Sequence, residues 1–205
     1  MIFGSINIEN TNNNFKISPL NESPFFSIFI DSLQLPFRDY FFANSVSYLS
    51  QFIQNTSFTP VTAHILLSSL YNQLHILDQN NITISFLDIN DILVIDNSFF
   101  ICNFDKFYKY NYHNNTILIS DVYDKNNPYL TPLFKSNTSI PFTSHKNDFF
   151  YNLALIVLDC FRKTNFLLYS HNDKQILNYY HYTKIYNTLV FFLNTDVSKR
   201  QFIIF

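Results

Sequence analysis

Oxygen-bearing side chains gather in one stretch of this chain, where Asp88 and Asp91 stand three residues apart and Asn103 and Asp105 flank Phe104. Carboxylates and amides are hard oxygen ligands suited to Mg²⁺. A carboxylate within hydrogen-bond reach of an alcohol can also act as a general base. Phe86, two residues before Asp88, can do neither. Asp91 is the one candidate metal ligand, and a lone carboxylate leaves Mg²⁺ mostly hydrated and poorly placed. Lys16, within Phe15-Lys16-Ile17, is the candidate cation for anchoring a phosphate, although a long charged side chain is more often a surface residue. Asp148 and Arg200 are expected to have structural roles.

The remaining reactive residues form no pattern. His64, His75, His113, His145, His171 and His181 lack metal-site spacing, and Cys102 and Cys160 are too few for a disulfide framework, so both read as buried thiols. Thirteen basic against 15 acidic residues leave a formal charge of -2. That balance steers the chain toward neither nucleic acid nor an anionic membrane. The longest apolar run, 153–158, is far short of a membrane span. With no basic leader followed by an apolar region, an intracellular, soluble protein is expected. Asn is abundant while Gly occurs once, as AT-rich codon usage would produce, so the glycosylation sequons carry little weight.

The elements that must position these residues follow from periodicity. An apolar content of 47% in 205 residues supports one folded domain, 1–205. Residues 1–42 alternate short apolar stretches, among them 25–30, with Asn, Pro and Ser, suggesting short strands. Val46, Leu49, Phe52 and Ile53 are spaced as a short helix ending near Asn55. Thr59-Pro60 is a capping pair, and Ala63, Leu66, Leu67, Leu70, Leu74 and Leu77 then share one helical face. Runs 92–95 and 99–102, separated by Asp96-Asn97-Ser98, predict a hairpin. A polar loop spans 106–147, a buried helix 149–161 and a final helix about 184–194. Tyr179, Tyr180, Tyr182 and Tyr186 serve packing or an interaction surface. The fold class is α+β.

In this order several segments resemble protein kinases. Residues 74–91, LHILDQNNITISFLDIND, are similar to the kinase helix running into the catalytic loop HRDLKPEN, and Ile92-Leu93-Val94 resembles the ILL that follows. In the same register Asn103-Phe104-Asp105 falls on the DFG motif, with the aromatic kept. Tyr129-Leu130-Thr131-Pro132-Leu133 resembles the APE region, and Asp148 stands where the DVWSLG aspartate does. Residues 193–200, LNTDVSKR, are similar to LNPDPSKRPT. The resemblance covers about 43–205 and implies a helical large lobe, with 1–42 a reduced β-rich small lobe and hinge approach.

The same register implies lost chemistry. The base aspartate falls on Phe86, the catalytic-loop asparagine on Asp91, the metal aspartate on Asn103, and the phosphate-contacting lysine on Asp88, which places negative charge where it must be neutralised. Asp88 and Asp105 could exchange roles as base and ligand, but Asp88 and Asp91 are three residues apart where the family needs five. No glycine-rich loop exists, because Gly4 is alone. In the family Asp148 would hold the catalytic-loop backbone. Arg200 would pair with a glutamate that is Leu133 here, so another acceptor must replace it or Arg200 is exposed. The implied protein is a pseudokinase that binds another protein as scaffold or allosteric regulator, without cofactor. The alternatives are an atypical active Ser/Thr kinase using ATP and Mg²⁺, and an unrelated helical interaction module.

Overall fold

The structure, a computed structural model, describes residues 2–11, 14–21, 24–32 and 39–201. Strands β1 (Ile2–Phe3), β2 (Ile6–Asn10), β3 (Phe15–Pro19) and β4 (Phe41–Ala43) form an antiparallel sheet in that order. Ile6, Ile8 and Ile17 point into the core, as the two-residue period of a strand requires. The chain turns between β1 and β2 at Gly4, whose φ of 56° lies in the left-handed region. This turn rests directly on the segment after the distant hairpin. Ser5 N–H donates to the Cys102 carbonyl at 3.0 Å, and Phe104 N–H donates to Ser5 Oγ at 2.9 Å.

Residues expected to form a strand at 25–30 belong instead to helix α1 (Pro24–Ser32). Phe26, Phe29 and Ile30 recur at helical spacing and are all buried, so this apolar stretch, interrupted at Ser27, forms a helical face. The Phe29 ring meets Phe41, Phe100 and Phe104, joining the N-terminal sheet to the rest of the core. Asn44 and Ser45 N–H groups then donate to the Asp96 carboxylate at 2.9 and 2.8 Å.

Strand β5 (Val46–Tyr48) occupies the first turn of the expected helix, leaving α2 (Leu49–Asn55) to end where the spacing ends. Helix α3 (Pro60–Gln79) starts at the Thr59 cap, where Thr59 Oγ1 accepts from Thr62 N–H at 3.2 Å. Buried Gln73 on α3 donates to the Ile101 carbonyl and accepts from its N–H, both at 2.8 Å. Its amide thereby completes a strand's hydrogen bonding from a helix. That strand is β8 (Ser98–Ile101), paired with β7 (Ile92–Ile95), which also pairs β5. Asp96 and Asn97 make the hairpin turn with φ of 47° and 67°, and Asn81 and Asn115 turn in the same left-handed region. Strand β6 (Ile82–Ile84) pairs β9 (Phe107–Lys109), so the loop 85–91 and residues 102–106 are held side by side.

The expected polar loop 106–147 contains β9, β10 (Thr116–Ile119), helix α4 (Pro132–Ser136) and β11 (Phe142–His145), with β10 and β11 antiparallel. In β10 Ile117 and Ile119 point inward while Leu118 faces solvent, and they join Phe86, Leu130 and Phe134 in a second, smaller core. Helix α5 (Phe149–Thr164) is buried along most of its length. Helix α6 (Asp173–Tyr179) was not anticipated, although Asn172 and Gln175 form a capping box at its start. Helix α7 (Lys184–Phe192) closes the core, and no helix among the described residues is long and apolar enough to cross a membrane.

A Cβ at Gly4 would stand 2.9 Å from the Cys102 carbonyl oxygen. Gly4→Ala therefore combines an unfavourable φ with a clash against backbone, and should lower stability by about 1–3 kcal/mol in urea unfolding. An unchanged midpoint would mean that the turn does not rest on Cys102.

Candidate functional site

The loop 85–91 and the stretch 102–106 face each other because β6 pairs β9 and β7 pairs β8. Between them Asp91 is buried, and both of its carboxylate oxygens are engaged. Oδ1 accepts from Asn103 Nδ2 and Oδ2 from the Asp88 N–H, each at 2.7 Å. Its own carbonyl accepts from Cys102 N–H at 3.0 Å. Burial raises the Asp91 carboxyl above its ordinary value, outweighing the lowering effect of the Asn103 and Asp88 donors. Asp88 points elsewhere: Oδ1 accepts from Asn90 N–H at 3.0 Å and Oδ2 from Asn127 Nδ2 at 3.3 Å. The structure thus brings Asp91 and Asn103 together and turns Asp88 to local capping.

Phe86 is buried among rings, 5.5 Å from Phe134 and 5.7 Å from Tyr123 between centroids. Above it lies Lys106, with Nζ 3.6 Å from the ring centroid. Burial lowers the Lys106 ammonium, while Asp91, Asp88, Asp105 and Asp121 act in the opposite direction. An ammonium over an aromatic face and among carboxylates supplies positive charge at this spot from the chain itself. Sequence reasoning missed Lys106. Its position directly after Asp105 was a signal, but the ring beneath it comes from tertiary structure.

Lys16 lies apart from this cluster. It faces away from the side of β3 that buries Ile17, pairing with Glu9 at 3.5 Å across the strands and lying 4.8 Å from the Tyr40 ring centroid. Among the described residues, no group of three or more His, Cys, Asp and Glu is arranged to hold a metal ion. Burial raises the thiols of Cys102 and Cys160 well above their ordinary range, which removes thiolate chemistry from both.

Asp148 and Arg200 form a second centre, a buried ion pair at the start of α5. Asp148 Oδ2 also accepts from Thr131 Oγ1 at 2.9 Å and Ser144 Oγ at 3.1 Å. Arg200 Nε donates to the Asn194 carbonyl at 2.9 Å, and its guanidinium lies over Tyr151. Asp148 thus takes up the cation for which Leu133 offers no acceptor, and its partners lie at 131, 144 and 200, with none in 85–91. No family model matches the chain, and no curated protein matches it.

Removing Arg200 leaves a buried carboxylate with only two hydroxyl donors. Arg200→Met should cost about 3–5 kcal/mol, and the double variant Arg200→Met with Asp148→Leu should cost clearly less than the sum of the two singles. Chemical unfolding of the three variants measures this, and strict additivity would show that the ions do not depend on each other.

Proposed function

We propose that this chain is a kinase-like protein that no longer transfers phosphate and acts inside the cell by binding another protein as a scaffold or allosteric regulator. The observation that carries this reading is the engagement of Asp91. A divalent cation there would have to displace two hydrogen bonds from the chain's own N–H groups, with Asn103 contributing a neutral amide where a second carboxylate is needed. Phe86 adds to it, because a hydrocarbon ring packed on Phe134 neither accepts a proton nor orients an alcohol. Phosphoryl transfer depends on a positioned acceptor and on metal-borne charge neutralisation, and the engaged Asp91 and the Phe86 ring argue against both.

The element order supports the kinase-like part of the reading: the long helix α3, the loop 85–91, the β7–β8 hairpin, residues 103–105, then the buried helix α5. The β1–β2 turn is held against residues 102–104, since Ser5 is bonded to Cys102 and Phe104. Binding a protein requires only a stable surface. Phe166 is 87% exposed, Tyr169 74% and Tyr182 99%, which is apolar area a partner could cover. Two buried free thiols suit a reducing compartment.

Thermal unfolding with ATP, in the presence and absence of Mg²⁺, tests the loss of chemistry. The midpoint should not move with metal. A metal-dependent rise of several degrees that disappears in Asp91→Ala, accompanied by transfer of labelled phosphate to a generic protein substrate, would replace this reading with an active kinase.

A further inference from the structure

The turn from β11 into α5 runs through His145, Lys146, Asn147 and Asp148, and nearly every polar group in it is engaged. His145 Nδ1 accepts from Asn147 N–H at 3.1 Å, and the His145 carbonyl accepts from Asp148 N–H at 2.9 Å. Asn147 Nδ2 reaches across to the Arg200 carbonyl at 2.8 Å. Lys146 N–H donates to the Asn115 carbonyl at 2.7 Å, and the Lys146 carbonyl accepts from Thr83 Oγ1 at 2.6 Å. His145, Asp148 and Arg200 also line a groove of about 530 Å³ whose apolar walls include Leu133, Tyr151 and Leu193.

The Nδ1 contact demands one protonation state. A neutral imidazole with its proton on Nε2 offers Nδ1 as an acceptor, whereas the imidazolium has a donor there, facing the Asn147 donor. Two cations face the ring, Lys146 within the turn and Arg200 from the C-terminal segment, and both oppose a further positive charge. Two carboxylates favour it, Asp148 at the start of α5 and Asp196 before Arg200. Asp148 is already committed to Arg200, Thr131 and Ser144, and Asp196 is a half-exposed residue capping Ser198.

We infer that the β11–α5 turn is an acid-sensitive latch: protonation of His145 breaks its bond to Asn147 and loosens the tether from Asn147 to residue 200. This inference stands apart from the pseudokinase reading, since it uses none of the residues around Asp91. Burial, first, then Lys146 and Arg200 hold the folded His145 below its ordinary value of 6.5. The unfolded chain consequently takes up the proton first. The stability linked to the neutral His145 ring is fully present above pH 6.5 and is lost as the pH falls through the folded value.

Two measurements test the latch. In a pH titration by NMR, the His145 ring of the wild-type protein should titrate below 6.5, with the Asn147 amide resonance moving at the same pH. In urea unfolding, His145→Asn keeps a side-chain oxygen able to accept from the N–H two residues on, without titrating. Between about pH 7.5 and about pH 5 the wild-type midpoint should fall further than that of the variant. A ring titrating at or above 6.5, or parallel loss of stability in the two proteins, would overturn the inference. If the variant does not fold, the wild-type titration decides alone.

Discussion

Burying a carboxylate beside a guanidinium strips both of water, and the pair is tolerable only where further hydrogen bonds satisfy the remaining lone pairs and protons. Asp148 and Arg200 meet that condition by drawing on four separate segments. Thr131 comes from the cap of α4, Ser144 from β11, the Asn194 carbonyl from the end of α7, and Tyr151 from α5 itself. Each segment is thereby placed relative to the others. Thr131 does double duty, because its hydroxyl also accepts from Phe134 N–H and so starts the short helix that carries Phe134. Phe134 in turn packs on Phe86. The ion pair therefore reaches into the cleft through one hydroxyl and one ring, and the second small core depends on it.

Around Asp91 an oxygen-rich cluster is closed by hydrogen bonds from the chain itself. Asp91 keeps its carboxylate, but the acceptor positions that would meet a cation meet Asn103 and the loop backbone instead. Lys106 contributes the local positive charge, resting on the Phe86 ring. Such a cluster acts as an internal strut. Its hydrogen bonds join residues 88 and 91 to 102 and 103, which fixes the spacing of β7 and β8 behind them.

Much of this architecture was legible from short-range signals. Thr59-Pro60 announced α3 because a hydroxyl cap and a proline act within one turn, and Asp96-Asn97 announced the hairpin because the left-handed conformation is a property of single residues. Misreadings arose where the deciding partner is remote. Residues 25–30 are apolar at every position but Ser27, and their helical face is fixed only where Phe29 meets Phe41 and Phe100. β10 and β11 are short strands in a polar setting, stabilised by their mutual pairing, the Phe86 cluster and the Ser144–Asp148 bond. Arg200 could be recognised as a cation in need of an acceptor, but Asp148 lies 52 residues away in sequence and no spacing rule connects the two.

With one glycine in the whole chain, the left-handed bends other than Gly4 fall, among the described residues, to other side chains. Asn81, Asp96, Asn97 and Asn115 take them, and these are the side chains that tolerate that backbone region best after glycine. The sole glycine is reserved for the place where no side chain at all would fit, against the Cys102 carbonyl. A chain with almost no glycine can thus still build tight turns, at a modest energetic penalty per bend, provided it keeps its glycine where crowding leaves no substitute.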